Sequence, residues 1–181
     1  MAKVRNNILV IGLSGAVGEQ FVIRKDKAGR TIVGNIPTFD EKRQFSEAQV
    51  AHQEEFKEAA VYGKGAKGQD VYAAKAEGTP MTPYNVAVAD WFHEPEIKGI
   101  DLRGWNGQAG QTIRIEAVDD VQVKQVTVVV TDESGTVLEQ GAAVQADSLW
   151  WTYTTTKAAS GTPKLIVSAE DLPGHIAKMT K

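Results

Sequence analysis

Short β-rich segments with period-two alternation fill the second half of the chain, and no other feature of the sequence constrains the fold as strongly. Turn-forming residues separate these segments, as at positions 132–135 and 159–161. Strands at this spacing are typical of two packed antiparallel sheets. We predict strands within residues 112–118, 123–132, 136–144, 149–156 and 163–170.

The alternation also indicates which side chains point into the core. Alternate valines between residues 126 and 130 share one face of their strand, as do Trp151 and Tyr153 on theirs. The adjacent residues Trp150 and Trp151 must point to opposite faces. We therefore predict that one tryptophan of this pair is buried and that the other lies outward or at an edge.

Three glycines, Gly12, Gly15 and Gly18, follow an apolar run near residue 7 and raise the question of a phosphate-binding loop. A dinucleotide fingerprint requires G-x-G-x-x-G before a helix, and a P-loop ends in Gly-Lys-Ser/Thr. Neither pattern is present. Residues 21–33 instead predict a β-hairpin whose turn lies at 26–29, so we interpret the glycines as turn or bulge positions.

A capping box marks the start of a helix in the middle of the chain. Ser46 is the expected N-cap, Gln49 follows three residues later, and Phe45 and Val50 occupy the staple positions. We expect Gly63 to end this helix. Shorter helices are predicted at residues 69–78 and 83–92, the second of which begins with a proline.

These patterns together predict an α+β chain: an N-terminal β-hairpin with short helices, then an all-β immunoglobulin-like sandwich. Pro95 stops the third helix, and the periodicity changes from helical to alternating directly after it. The predicted domains are residues 1–95, the β-hairpin plus helical domain, and residues 96–181, the sandwich domain.

Composition excludes several classes of protein. The 181 residues are 42% hydrophobic, which is sufficient for a core, and they contain no cysteine, so disulfides, thiol nucleophiles and cysteine-ligated metals are excluded. No apolar run approaches the roughly 20 residues that span a bilayer, and no secretory cleavage site follows the basic start. We expect cytoplasmic synthesis without a Sec signal, leave the final location open, and predict neither a membrane segment nor a cofactor.

Charge is distributed unevenly although the net charge is only -3. Residues 1–43 hold eight Lys and Arg against four Asp and Glu, whereas residues 94–181 hold eight against twelve. A basic segment on an acidic body can meet a neighbouring copy, or it can be an ordinary solvated sheet edge. We do not predict nucleic-acid binding, because a recognition helix, interleaved stacking aromatics and zinc-ligand spacing are all missing from the sequence.

Several motifs carry a family resemblance. The stretch from Ile113 to Gly141, then "WWTYTTT" and "LIVSAEDLPGH", resembles a bacterial immunoglobulin-like module over about residues 96–178. With "SGAVGEQFVIRKDKAGRTIV", "SEAQVAHQEEFKEA" and "YNVAVADWF", the whole chain resembles an uncharacterised bacterial family with a β-hairpin, helices and this sandwich. The resemblance implies a fold but no activity, because such sandwiches serve as adhesins, enzyme appendages and structural subunits.

Two kinds of ligand site are considered on the predicted sandwich. Acidic residues at strand ends offer hard oxygen ligands for calcium, or they accept backbone amides in turns, as aspartate commonly does. Tryptophans offer a surface on which a sugar can stack. The acidic candidates are Asp119, Asp120, Glu170 and Asp171, and the aromatic candidates are Trp105, Trp150 and Trp151.

Catalysis is not predicted, and no catalytic residue is assigned. The only histidines are His52, His93 and His175, and they lack the His-Glu-x-x-His spacing of zinc hydrolases. The adjacent Asp119 and Asp120 would point to opposite faces of a regular strand, which is unsuitable for shared acid–base work.

The N-terminal strands provide the leading functional prediction. A two-stranded hairpin is marginal in water, so either the helices of the same chain cover its apolar residues or another copy pairs with them. We predict a structural self-assembling subunit, a filament or a phage- or tail-like component, whose partners are other copies of itself. The alternative is a non-catalytic carbohydrate- or calcium-binding module. The predicted assembly interface is Ile8, Leu9, Val10, Ile11, Phe21, Val22 and Ile23.

Overall fold

The structure is a computed structural model that describes residues 2–4, 13–38 and 43–181. The chain divides into two compact units, Met1–Val86 and Ala87–Lys181. The boundary between the two units falls inside a helix. It lies N-terminal to the domain boundary that the sequence predicts between residues 95 and 96. No helix among the described residues is both long enough and apolar enough to span a membrane.

The first unit contains a four-stranded antiparallel sheet, so the predicted hairpin forms the middle of a larger sheet. The strand order is β1-β4-β3-β2, which leaves β1 and β2 at the edges. The strands are β1 (Ala2–Val4), β2 (Gly15–Val17), β3 (Phe21–Lys25) and β4 (Thr31–Asn35).

A tight turn joins β3 to β4 at the predicted position. The Gly29 amide donates to the Asp26 carbonyl at 2.9 Å, and Gly29 adopts a φ of 75°, a conformation that favours glycine. The Asp26 carboxylate accepts from the backbone amide of Arg30 at 2.8 Å and from its Nε. These hydrogen bonds lower the pKa of Asp26 and fix the register of the hairpin.

Three helices follow: α1 (Glu47–Ala66), α2 (Asp70–Ala76) and α3 (Pro83–Trp91). The capping box of α1 is confirmed, because the Gln49 amide donates to Ser46 Oγ at 3.3 Å and the Ser46 amide donates to Gln49 Oε1 at 3.0 Å. The prediction that Gly63 ends the helix is wrong. Gly63 is a buried interior residue of α1, and its carbonyl accepts from the Lys67 amide that caps the helix.

The buried stripe of α1 consists of small residues. Ala59, Gly63 and Ala66 are buried, whereas Val50, at a predicted staple position, is 45% exposed. Next to this stripe the hydroxyl groups of Tyr62 and Tyr72 hydrogen-bond, and their rings meet edge to face with centroids 6.4 Å apart. The Tyr72 ring of α2 is fully buried.

The second unit is a sandwich of two four-stranded antiparallel sheets, with strand orders β5-β6-β10-β9 and β12-β11-β7-β8. The fold is therefore mixed α+β with a β-sandwich, as the sequence predicts at this level. The strands are β5 (Glu96–Asp101), β6 (Thr112–Val118), β7 (Val123–Thr131), β8 (Val137–Ala142), β9 (Val144–Gln145), β10 (Trp150–Thr154), β11 (Lys164–Asp171) and β12 (Ile176–Thr180).

One hydrophobic core lies between these two sheets. The predicted inward valines of β7 are confirmed, since Val126, Val128 and Val130 are at most 1% exposed. Trp151 and Tyr153 of β10 face them from the other sheet and are each 6% exposed. The remaining core residues are Ile97, Ile100, Ile113, Ile115, Ala117, Val123, Ala143, Leu165, Val167 and Ala169.

Candidate functional site

An exposed apolar pair lies at the β2 edge of the N-terminal sheet. Val17 of β2 and Phe21 of β3 are direct cross-strand partners, and they are 50% and 43% exposed. Directly opposed side chains on one face lie close enough to form a continuous contact surface. We refer to Val17 and Phe21 as the apolar edge.

The predicted assembly residues fall into three groups. Phe21 belongs to the apolar edge, Val22 is half-buried on the opposite face of β3, and Ile23 is buried at 6% exposure within its own chain. The residues from Ile8 to Ile11 lie outside the described part of the structure. The sequence pattern does not identify Val17 as a member of this surface, because its pairing with Phe21 depends on the turn at Gly18.

Carboxylates from two separate stretches of the chain meet at one end of the sandwich. Asp90 lies on α3, and Asp119 and Asp120 directly follow β6. One oxygen from each lies within 4.8 Å of the others, and we refer to these three residues as the acidic cluster. Asp90 is fully buried, whereas Asp120 is exposed and lies 3.3 Å from His93 Nδ1.

The acidic cluster supplies the oxygen ligands that hard cations such as calcium prefer. One of its oxygens already has hydrogen-bond partners, because Asp119 Oδ2 accepts from the backbone amides of Val121 at 3.1 Å and Gln122 at 2.8 Å. The other oxygen, Asp119 Oδ1, is buried and has no hydrogen-bond partner among the described residues. Asp119 therefore takes the turn-forming role through Oδ2. Calcium binding stays a prediction.

The other two acidic candidates do not belong to this cluster. Glu170 pairs with Lys124 on the neighbouring strand. Asp171 is fully buried, and its Oδ1 accepts from the backbone amides of Gly174 and His175, each at 2.6 Å, while its Oδ2 lies 2.8 Å from His175 Nδ1. Asp171 therefore fastens the turn between β11 and β12, which is the turn role that aspartate commonly takes.

The three histidines lie in separate local environments. His52 is on α1, 3.4 Å from Glu55, and His93 Nδ1 donates to the Ala89 carbonyl at 2.8 Å. His175 pairs with Asp171, and its ring meets Trp91 edge to face with centroids 5.6 Å apart. Each histidine has a polar partner three or four positions away in the sequence, and His93 lies in addition 3.3 Å from Asp120 of the acidic cluster.

The tryptophans divide between core and surface as predicted. Trp151 is buried in the core of the sandwich, and Trp105 is half-buried and packs against this core. Trp150 is half-buried on the outer face of β10, where the Arg114 guanidinium lies 4.5 Å from the centroid of its ring. The cation–π contact fixes one face of this indole.

Neither a protein-family model nor a curated protein matches the sequence. Among solved structures, the chain is similar to CopC from Methylosinus trichosporium, with 17% identity and a TM-score of 0.38 over 48% of this chain and 88% of that one. An engineered protein matches with 19% identity and a TM-score of 0.38, over 55% and 26% of the two chains. A conjugative transposon lipoprotein from Bacteroides eggerthii matches with 13% identity and a TM-score of 0.27, over 49% and 93%. All three TM-scores lie below 0.5, so we take no fold or function from these proteins.

Proposed function

We propose that this chain is a non-catalytic structural protein that self-associates by pairing the β2 edge of its N-terminal sheet with a second copy. The observation that carries the proposal is the apolar edge, Val17 and Phe21, which is exposed beside β2, an edge strand of the sheet that the described residues form. An exposed apolar edge strand is a template for strand addition from another chain.

The composition of the edge strands favours β2 as the site of pairing. Native sheets protect their edges with charged residues, Lys above all. Lysine or glutamate occurs in the edge strands β1, β5, β8 and β12, whereas β2 reads Gly-Ala-Val and carries no charge. The remaining edge strand, β9, has only two residues. The β2 edge is therefore the least protected of the longer edges in the described part of the chain.

The edge strand β8 of the sandwich unit differs most clearly from β2, because it carries an inward-pointing charged residue, Glu139. Glu139 lies on the edge strand β8, is only 6% exposed, and accepts from the Thr156 amide at 2.7 Å and the Thr156 hydroxyl at 2.6 Å. An inward charge on an edge strand is a known device against unwanted pairing. β8 therefore has a protection that β2 lacks.

Charge also favours association between copies. The segment 1–43, which contains the N-terminal sheet, has eight basic and four acidic residues, while residues 94–181 have eight and twelve. Opposite net charges steer copies toward each other and speed their encounter at low ionic strength. If the rotation that relates each copy to the next closes on itself, the product is a ring, and if it does not, the product is a filament.

The test compares the same substitution at two edge valines. We expect the mass of the wild-type chain, measured by light scattering over a concentration series, to rise above that of a monomer, with ordered particles in negative stain. Val17→Lys places a charge on the β2 edge and is expected to give monomers. Val137→Lys, at a 55% exposed position on the edge strand β8, is the matched control and is expected to assemble like the wild type.

Two results would overturn the proposal. One is a monomer at every concentration of the wild-type chain. The other is an unchanged mass for Val17→Lys together with an unchanged thermal unfolding curve, because the variant would then be folded and β2 would not be the connector.

A further inference from the structure

We propose that a cleft on the outer face of the β5-β6-β10 sheet binds a pyranose ring of a carbohydrate, with Trp150 as the stacking platform and Asp101 and Arg103 as hydrogen-bonding partners. The cleft has a volume of about 580 Å³ and extends from Gly99–Arg103 to Trp150 and Lys181. The cleft is wide open to solvent, so it can contact one face of a ring rather than enclose a whole ligand. The inference is independent of the proposed self-association.

The register of the sheet creates the space for this cleft. Gly99 of β5 and Trp150 of β10 both pair with Glu116 of β6, so they lie in one row across the sheet. A β-bulge between Ile97 and Gly99 interrupts the alternation there. Gly99 has no side chain, and a Cβ atom at this position would meet no other atom within 4 Å. The missing side chain leaves open space in the same row as the indole.

Trp150 is held in a defined orientation. The Arg114 guanidinium covers one face of its ring, 4.5 Å from the centroid, and Arg114 is not among the residues that line the cleft. Arg114 and the cleft therefore contact Trp150 separately, and a ligand in the cleft need not displace the guanidinium. An aromatic ring that is already fixed loses little conformational entropy when a ligand stacks on it.

Asp101 and Arg103 provide adjacent acceptors and donors at the other wall. Arg103 Nε and Nη2 donate to the Asp101 carboxylate at 3.0 and 2.7 Å, and the Arg103 backbone amide donates at 3.0 Å. The Arg103 side chain is 89% exposed, so its remaining N–H groups face solvent. Neighbouring sugar hydroxyls can each donate to a carboxylate and accept from a guanidinium, which matches this pair.

Further features of the cleft suit a saccharide. Lys181 lines the cleft, and its Nζ donates to the Ile100 carbonyl at 2.8 Å and retains two further N–H donors. The hydrogen bonds from Arg103 lower the pKa of Asp101, so this acceptor stays ionised in mildly acidic solution. An aromatic platform flanked by a few convergent polar groups is the usual composition of a specific ligand site.

The experiment begins with the full chain on an array of neutral and uronic-acid-containing oligosaccharides, and any bound oligosaccharide is then titrated by calorimetry. We expect binding, and we expect Trp150→Ala to weaken it at least tenfold. Gly99→Leu, which fills the cleft and keeps the indole, is expected to weaken binding to a similar degree. Leu149→Ala, at a 45% exposed residue adjacent to Trp150 that lines a different depression, is the matched control and should bind like the wild type.

Two outcomes would overturn the assignment of this cleft. One is the absence of binding to any oligosaccharide on the array, and the other is wild-type affinity in both Trp150→Ala and Gly99→Leu. Thermal unfolding of both variants verifies that they are folded. Val17→Lys should bind the same oligosaccharide with unchanged affinity, so failure of the self-association proposal leaves this result unaffected.

Discussion

Gly141 of β8 lies directly against the ring of Tyr153, which belongs to β10 in the opposite sheet. A methyl group at Gly141 would approach Tyr153 Cε2 to 2.9 Å and the hydroxyl to 3.2 Å. Because Tyr153 is 6% exposed and packed among core residues, its ring has little room to move. We therefore expect Gly141→Ala to lower the free energy of unfolding by about 1–3 kcal/mol, measured by urea denaturation.

Gly99→Ala is the control for this effect. Gly99 is also a strand glycine with an ordinary φ, but its added methyl group would meet no atom within 4 Å. We expect this variant to be unchanged or slightly more stable than the wild type, because alanine has less backbone freedom to lose on folding. Equal destabilisation of the two variants would show that contact with Tyr153 is not the cause.

Tyr153 also makes the folding stability decrease as the pH rises in the alkaline range. Burial raises the pKa of its phenol above the ordinary value, and the nearby Glu139 carboxylate raises it further. The folded state therefore favours the neutral phenol. This contribution to stability is complete below the pKa of about 10 in the unfolded chain, and it is lost as the pH rises through the higher pKa of Tyr153 in the folded protein. Urea denaturation between about pH 9 and pH 11 should show a steeper loss for the wild type than for Tyr153→Phe. Parallel pH profiles for the two proteins would contradict the assignment.

Among the residues of the turn after β11, we expect substitution of the buried Asp171 to cause the largest loss of folding stability. Its removal in Asp171→Ala leaves the backbone amides of Gly174 and His175 without their acceptor. We expect a loss of about 3 kcal/mol in the free energy of unfolding, measured by tryptophan fluorescence in urea.

A matched turn exists at Asp132, whose side chain accepts from the Thr136 amide at 2.9 Å and the Ser134 hydroxyl at 2.6 Å. These hydrogen bonds lower the pKa of Asp132, but the turn lies at the solvent-exposed end of a hairpin. Asp132→Ala should therefore be clearly less destabilising than Asp171→Ala, because water can replace the lost acceptor. A reversed order would show that burial of Asp171 does not determine its contribution.

The calcium prediction is tested at the acidic cluster. Binding to the folded state raises the unfolding temperature as the ligand concentration exceeds its dissociation constant. We expect millimolar calcium to raise the unfolding temperature of the wild type and to have a smaller effect on Asp120→Asn, which removes a ligand charge at an exposed position. Asp147→Asn, a carboxylate outside the cluster, is the control. An unchanged unfolding temperature of the wild type in calcium would refute the prediction.

Much of the fold could be predicted because its signals are local. The capping box at Ser46 and Gln49 requires only four consecutive residues, and the alternation from Val126 to Val130 requires only one strand. The separation of Trp150 from Trp151 follows from the same alternation. Such features persist in the folded chain because tertiary contacts agree with the local preference.

The end of α1 could not be predicted from glycine alone. A glycine ends a helix when it adopts positive φ, and Gly63 is not among the positive-φ glycines of the described residues. Gly63 instead lies inside the helix, in its buried small-residue stripe. Whether a glycine ends a helix or packs inside one depends on its neighbours in space.

The candidate sites were predicted only in part, for a related reason. Asp119 and Asp120 are adjacent and follow a recognisable strand, but Asp90 joins them from a helix almost thirty positions earlier in the numbering. Its one local signal is a charged residue in the otherwise apolar "VAVADWF". Likewise, Trp150 is recognisable in the sequence, whereas the cleft beside it depends on a β-bulge and on pairing of Gly99 with Glu116.

The longest ladder of the sandwich has a consequence for the order in which the chain folds. β7 pairs with β11 along its length, and the ladder partners are separated by 33 positions at Thr131 and Lys164 and by 48 at Val123 and Asp171. Closing such loops is entropically costly, so contacts of this kind form late. During synthesis β7 can pair with β8 as a local hairpin, but its other edge has no partner until β11 has left the ribosome. Until then that edge is a template on which a strand of another nascent chain can pair.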